Sequence, residues 1–275
     1  MLIVDAQIHP WARGEATGHH RKSPITTEIL LQEMASAGVD RAILVPPLWD
    51  RGGNAYALSA AKAHPDRFAV MGLPPAGGFD PKNGRGRLTE WMNQPGMAGL
   101  RFLFNAPDRA APLLDGALEW IWPLAEDLGL VVAMLAPGRL DRVAGIAERH
   151  PRLKLIVDHL GVPRGASGPR AFDHLPELIA LSRFANVSVK AVAVCDYAQD
   201  VYPFPSVEAP LRRVFDAFGP GRVMWGSDLS RLKHSYRECV THFTEGLPWL
   251  SDDDLRQVMG TNMCRMVGWM PPVAA

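Results

Sequence analysis

The sequence has few cysteines, no long apolar run and no excess of either charge. Its 275 residues include three cysteines, Cys195, Cys239 and Cys264, and none of them belongs to a Cys-x-x-Cys pair. An odd, widely spaced set argues against a disulfide framework or a thiolate zinc site, and predicts reduced thiols in the cytoplasm. The longest apolar runs, such as Leu128 to Ala136, are far shorter than the roughly 20 residues of a membrane helix, so no membrane partner is expected.

The balance of charge excludes a further class of partner. Lysines and arginines number 29 and acidic residues number 29, for a formal net charge of zero. Proteins that bind nucleic acid usually carry a basic surface, so nucleic acid is not an expected partner. The N-terminal segment shows no export signal, which agrees with a cytoplasmic location. The sequence also has no P-loop and no Gly-x-Ser-x-Gly elbow, which argues against P-loop NTPases and serine hydrolases of that type.

Short apolar segments alternate with amphipathic ones along the whole chain. The predicted strands are Leu2–Val4, Ala42–Val45, Phe68–Gly72, Gly99–Phe102, Leu130–Leu135, Lys154–Val157, Val187–Val189 and Arg222–Trp225. The predicted helices include Thr27–Ala37, Ala55–Ala63, Gly116–Leu128, Leu140–Glu148, Leu175–Ser182 and Glu208–Phe218. Parallel strands need crossover helices, and eight such units close a barrel, so the pattern predicts one (β/α)₈ TIM-barrel domain over residues 1–275. An open doubly wound sheet would usually have a glycine-rich turn where this sequence reads Asp5-Ala-Gln-Ile-His-Pro-Trp11.

Polar residues stand at the carboxyl ends of several predicted strands, which meet at one mouth of a barrel. They are Asp5, Gln7, His9, Arg101, Asp158, His159, Lys190, Ser227 and Asp228. The alternative interpretation is that Lys190 pairs with a carboxylate and Arg101 braces the rim. Solvated or packing roles are expected for the other histidines, His19, His20, His64, His150, His174, His234 and His242.

Several of these segments, in this order, resemble signatures of the amidohydrolase-related family. They are Val4-Asp-Ala-Gln-Ile-His9, Asn54–Leu58, His64–Phe68, Gly99-Leu-Arg101, Val157-Asp-His-Leu-Gly161, Val187-Ser-Val-Lys190, Met224-Trp-Gly-Ser-Asp228 and Gly260–Arg265. The resemblance implies a barrel enzyme whose site uses histidines of the first strand, His159 and Asp228. The family commonly has two histidines in its first motif, whereas here Gln7 takes the first place and His9 the second.

This departure bears on metal binding, because an amide oxygen is a poorer zinc ligand than an imidazole. The segment Ala133-Met-Leu-Ala136 also offers no lysine or glutamate to bridge two metals, so no binuclear centre is expected. The sequence therefore resembles the family's metal-independent lactonases, which open dicarboxylate lactones. In such an enzyme Asp228 activates water, while His9, His159 or Lys190 stabilises the oxyanion.

The expected partner is a small anionic substrate. Its carboxylate would be held by Arg101, together with Arg164 or Arg231. The other predicted binding and pocket residues are Gln7, Trp11, Trp49, Phe104 and Tyr197. Exposed apolar residues near Phe243–Leu250 would allow a homodimer.

Two alternatives stay open. One is a mononuclear site in which His9, His159 and Asp228 bind zinc or manganese weakly, in a hydrolase or in a decarboxylase of aromatic or unsaturated acids. The other is a barrel that binds a ligand without catalysis. Lactone hydrolysis without metal, or with weakly bound metal, is the favoured interpretation, because Gln7 stands where a metal-binding histidine is expected. The presence of His9, His159, Lys190 and Asp228 at strand ends argues against a barrel that only binds a ligand.

Overall fold

The computed structural model describes residues 1–50, 52–75, 78–79 and 81–269. Eight strands form one parallel sheet in the order of the sequence. They are β1 Val4–Ile8, β2 Arg41–Leu44, β3 Phe68–Gly72, β4 Met97–Leu103, β5 Val131–Leu135, β6 Lys154–Val157, β7 Val187–Val192 and β8 Val223–Gly226. Neighbouring strands pair in a regular register, as in Lys190 opposite Met224, except for irregularities between Asp5 and Ile8 and between Val70 and Met71.

The sheet closes on itself where the end of β8 meets β1. The Asp228 N–H donates to the Gln7 carbonyl at 3.0 Å, and the Ser227 N–H donates to Asp5 Oδ1 at 2.9 Å. Tyr236 Oη also donates to Asp5, at Oδ2 and 2.8 Å. The predicted TIM barrel is thereby confirmed.

Helices cover the outside of the barrel. Among the described residues they are α1 Thr27–Ala37, α2 Ala55–Ala63, α3 Gly84–Met92, α4 Pro107–Leu114, α5 Ile121–Asp127, α6 Leu140–Arg149, α7 Leu175–Ala180, α8 Glu208–Phe218, α9 Tyr236–Thr244, α10 Asp252–Arg256 and α11 Asn262–Val267. The bounds of α1, α2 and α8 match the prediction. In α1 the Thr26 side chain accepts from the Ile29 N–H, and Gly38 ends the helix with a φ of 78°.

Two predicted elements were placed wrongly. The first strand begins at Val4 and continues to Ile8, so Asp5 and Gln7 lie within it rather than after it. Buried polar side chains are tolerated there because they hydrogen bond inside the barrel. The helix predicted from Gly116 begins only at Ile121, since Gly116 adopts a φ of 83° that no helix accepts.

Apolar side chains fill the barrel below its carboxyl end. The interior cluster consists of Val4, Ala6, Ile43, Val45, Ala69, Met71, Val131, Ala133, Ile156, Met224, Met263 and Cys264. Met263 and Cys264 come from α11, which therefore packs against the barrel interior. The fully buried polar residues Gln7, Asp158 and Ser227 lie at the opposite end, where β1, β6 and β8 finish.

Three expectations about the rest of the molecule can now be compared with the structure. The expected exposure of apolar residues near Phe243–Leu250 is wrong, because Phe243, Leu247 and Leu250 are buried within the chain, and the homodimer stays a prediction without this surface. Cys195, Cys239 and Cys264 are buried and free. In the described ranges, no helix combines the length and the apolar character that crossing a bilayer requires.

Candidate active site

Each of the strands β6, β7 and β8 is followed within two residues by a residue with left-handed backbone geometry. His159 after β6, Ala193 after β7 and Asp228 after β8 have φ values of 55°, 53° and 52°. A residue with a Cβ pays roughly 1–2 kcal/mol for this conformation, and such strain is typical of functional sites. At Asp228 two hydrogen bonds stabilise this backbone conformation. The Asp228 N–H donates to the Gln7 carbonyl, and the Arg231 N–H donates to the Asp228 carbonyl. The backbone therefore fixes where these side chains are presented.

The Asp228 carboxylate lies among three imidazoles. His9 Nε2 is 3.3 Å and His19 Nδ1 is 4.0 Å from Oδ1, and His159 Nε2 is 3.6 Å from Oδ2. Asp228 is 2% exposed, and its Oδ1 accepts no hydrogen bond from any described residue. Burial alone would raise the pKa of Asp228, but the charges of His9, His159 and His19 in their protonated forms, together with that of Arg231, outweigh it and lower the pKa to about 2. Asp228 is therefore ionised at neutral pH.

His9 presents a lone pair to this carboxylate. Its Nδ1 lies 2.7 Å from the Val45 carbonyl and must donate to it, so an uncharged ring has its lone pair on Nε2. Burial, partly opposed by Asp228, lowers the pKa of His9 to about 4, which makes the uncharged ring the form at neutral pH. Two acceptor atoms at 3.3 Å repel each other unless a proton or a metal ion lies with them. His9 Nε2 and Asp228 Oδ1 are thus placed to bind a cation together.

His19 completes a group that can hold a divalent metal. His9, His19 and Asp228 each offer one ligand atom, and these atoms lie within 4.8 Å of one another. Imidazole and carboxylate donors are those that zinc and manganese accept. Sequence reasoning missed His19, because it stands in the loop after β1 where no local pattern marks a ligand. Its ring packs edge-on to His9 and Trp49, at centroid distances of 5.3 and 4.7 Å.

His159 is held differently from the expected ligand. The amide nitrogen of Gln7, a fully buried residue, is 2.8 Å from His159 Nε2 and donates to it. That bond occupies the Nε2 lone pair and leaves the ring proton on Nδ1. Burial lowers the pKa of His159 to about 3, so the ring is uncharged. Gln7 therefore serves here as the partner of His159.

Lys190 and Arg101 both pair with Asp158. Lys190 is fully buried, with Nζ 3.1 Å from Asp158 Oδ1, and Arg101 Nε donates to Oδ2 at 2.6 Å. Burial opposes ionisation of Asp158, but Lys190 and Arg101 outweigh it and hold its pKa well below the usual range. Arg101 lines the cavity above this group, whereas Lys190 is absent from its wall. Lys190 thus forms an ion pair with a carboxylate, which the sequence analysis gave as the alternative to a catalytic role.

A cavity of about 620 Å³ opens above Asp228, within the usual range for small-molecule sites. Its cationic side chains are Arg101, Arg109, Arg164, Arg231 and Lys233. Its carboxylates are Asp196 and Asp228. Among the described residues that line the cavity, five side chains are cationic and two carry a carboxyl group. Such a wall attracts anions.

The predicted aromatic residues lie at two depths. Trp49 lines the cavity. Trp11, Phe104 and Tyr197 are buried and do not line it. Trp11 packs edge-on against Trp49 with ring centroids 5.3 Å apart, and Tyr197 lies beneath the guanidinium of Arg231 at 5.4 Å. Trp11 and Tyr197 therefore support side chains that face the cavity.

Comparisons with known proteins agree with this architecture. A family model described as Amidohydrolase matches residues 4–269. The L-fucono-1,5-lactonase of Burkholderia ambifaria is 27% identical over 287 residues, covering 95% of this chain and 93% of the lactonase. The 4-sulfomuconolactone hydrolase of Hydrogenophaga intermedia is 27% identical over 203 residues, covering 71% of this chain and 62% of that enzyme. A crystal structure of an amidohydrolase from Burkholderia multivorans with bound zinc shares the fold, with a TM-score of 0.78, 23% identity and coverage of 98% and 99%.

Proposed function

The chain belongs to the amidohydrolase family, and on this basis we propose that it hydrolyses a small lactone that carries an anionic group. One observation carries the proposal. The buried Asp228 carboxylate, with an oxygen free of hydrogen bonds, lies in a cavity whose other charged side chains are mostly cationic. The carboxylate can take a proton from water, while the cations can hold an anionic substituent.

Lactone hydrolysis is better supported than decarboxylation or binding without catalysis. Both curated relatives are named for lactone hydrolysis. Lactone substrates of that kind are uncharged at the reacting ester, so selectivity for anions must come from substituents. The sulfonate in the name of the second relative is one such anion.

In the proposed reaction, Asp228 accepts a proton from the water that attacks the lactone carbonyl. Neither His9 nor His159 offers a free Nε2–H for the developing oxyanion, since one ring donates through Nδ1 to Val45 and the other accepts from Gln7. Lys190 is held below the cavity by Asp158. We therefore assign oxyanion stabilisation to Arg101, which lines the cavity from β4, opposite β8 in the barrel.

His9, His19 and Asp228 are the residues that would hold a metal ion, and zinc or manganese would fit this donor set. The orphaned Asp228 Oδ1 facing the His9 lone pair is the observation that supports the fit. When bound, such an ion would supply Lewis acidity to the carbonyl and increase the acidity of water. Trp49 would shield the same group from solvent, because its ring packs against both His9 and His19.

Acid release from carboxylate-bearing lactones, followed with a pH indicator, tests the proposal. We expect turnover by the wild type and a loss of about 10²- to 10⁴-fold in Asp228→Asn, which keeps the shape of the side chain and removes the base. Asp216→Asn, at an exposed carboxylate on α8, should retain full activity as the matched control. A fully active Asp228→Asn enzyme would contradict the mechanism, and release of carbon dioxide without ring opening would favour the decarboxylase.

A further inference from the structure

A second carboxylate, that of Asp196, lies in the wall of the same cavity. It belongs to the short helical turn Val194–Tyr197, which follows β7, and it is 8% exposed. Its Oδ1 accepts the Lys233 N–H at 3.1 Å. Among the described residues nothing hydrogen bonds to its Oδ2. One oxygen is therefore anchored while the other remains available to a bound molecule.

Asp196 and Asp228 are presented by neighbouring strands. β7 pairs with β8, and the Ala193 N–H at the end of β7 donates to the Gly226 carbonyl at the end of β8, at 3.1 Å. Arg231 lines the cavity with both carboxylates and is bonded through its backbone N–H to Asp228. A ring bound over Asp228 consequently has Asp196 on the adjacent wall.

The surroundings of the two carboxylates differ. Burial raises the pKa of Asp196, and the Lys233 N–H and the positive charges of Arg231, His234 and Lys233 only partly oppose this. Asp196 therefore keeps its proton to a higher pH than an ordinary aspartate. Pairs of carboxyl groups with unlike environments commonly divide the roles of acid and base.

We propose that Asp196 is the proton donor to the ring oxygen that departs when the lactone opens. The proposal rests on the lactone hydrolysis proposed above. The oxygen of water forms a bond to the acyl carbon while Asp228 takes its proton. The bond between the acyl carbon and the ring oxygen then breaks, and that oxygen takes the proton of Asp196 to become a hydroxyl group.

The atoms and protons of this reaction balance without a further reactant. After ring opening Asp228 is protonated and Asp196 is ionised, and transfer of one proton between them, directly or through solvent, restores both. The carboxylic acid product then ionises. One lactone and one water yield a hydroxy acid anion and one proton.

The chemistry of the leaving group makes the proposal testable. An aliphatic alkoxide is about as basic as hydroxide, whose conjugate acid has a pKa of about 15.7, so it leaves poorly without a proton. A phenolate, with a conjugate acid pKa of about 10, leaves without help. Acid catalysis by Asp196 must therefore matter for an aliphatic lactone and hardly matter for an aryl lactone.

The experiment compares kcat of wild type and Asp196→Asn on carboxylated δ-valerolactone and carboxylated dihydrocoumarin. These are six-membered lactones with alkoxide and phenolate leaving groups, respectively. The asparagine Oδ1 still accepts from Lys233, so only the transferable proton is lost. We expect kcat to fall about 100-fold or more on the aliphatic lactone and less than about fivefold on the aryl lactone.

Equal losses on both lactones, or no loss on either, would overturn the role of Asp196 and leave lactone hydrolysis standing. No hydrolysis of either lactone by the wild type would overturn both proposals together. A second measurement needs no variant. In the wild type, the ratio of kcat on the aliphatic lactone to kcat on the aryl lactone should fall as the pH rises, because ionised Asp196 has no proton to give. A ratio that does not change with pH would refute the proposal.

Discussion

Replacing Asp158 with asparagine tests the buried ion pairs beneath the cavity. The change leaves Lys190 and Arg101 without the carboxylate that now contacts both of them, at 3.1 and 2.6 Å. An arginine side chain stays protonated, but a lysine can lose its proton when burial is not compensated. Burial already lowers the pKa of Lys190 even with Asp158 beside it.

The magnitude follows from the cost of neutralising one lysine. Each pKa unit corresponds to about 1.36 kcal/mol, so removing the proton of a lysine with an ordinary pKa of 10.5 costs about 5 kcal/mol at pH 7. Breaking a buried pair from one side usually costs about 3–5 kcal/mol. We therefore expect Asp158→Asn to lower the free energy of unfolding by about 3–5 kcal/mol at pH 7, and the Tm by about 10 °C.

The stability of Asp158→Asn relative to wild type should depend on pH. In the variant the unfolded chain keeps a proton on Lys190 that the folded chain has lost, so its stability relative to wild type rises with pH. The difference in the free energy of unfolding between wild type and variant should decrease by about 3 kcal/mol between pH 7 and pH 9, at about 1.36 kcal/mol per pH unit. Urea unfolding followed by circular dichroism at pH 7, 8 and 9 measures this. In the double variant Asp158→Asn, Lys190→Met the slope should vanish, and a deficit that is constant with pH in the single variant would refute the reasoning.

Three further predictions concern residues around β1 and the loop that follows it. Gln7→His should increase the affinity for zinc, measured by calorimetry, because an imidazole replaces an amide and His159 Nε2 is released; unchanged affinity would contradict the ligand argument. His19→Ala should weaken zinc binding by at least about tenfold, whereas His20→Ala, at an exposed neighbour, should leave it unchanged; equal effects would exclude His19 as a ligand. Burial raises the pKa of Asp5 to about 6, so the folded chain holds a proton that the unfolded chain releases from about pH 4. Wild type should therefore lose about 2 kcal/mol relative to Asp5→Asn between pH 4 and pH 6, and parallel curves for the two proteins would show that Asp5 is not protonated.

Much of the barrel follows from local patterns. Alternation of apolar strands and amphipathic helices is set by residues close in sequence, which is why α1, α2 and α8 were bounded correctly. Asp228 and His159 follow apolar strands directly, and the parallel arrangement brings such residues to one end. The departure at Gln7 was also visible in the sequence, although its partner, His159, was not.

The tertiary structure alone decided which side chains meet. His19 reaches Asp228 from an irregular loop, Lys190 finds Asp158 below the cavity, and Asp196 is buried by groups from distant parts of the chain. The bounds of β1 were decided in the same way, because the carboxylate of Asp5 is accommodated inside the strand by bonds from the distant residues Ser227 and Tyr236, in addition to one from the Gln7 N–H. The sequence by itself determined the periodic elements and the polar groups at their ends, since these depend on short-range preferences. Burial, ion pairing and protonation depend on partners that are distant in sequence, so they arise only when the barrel closes.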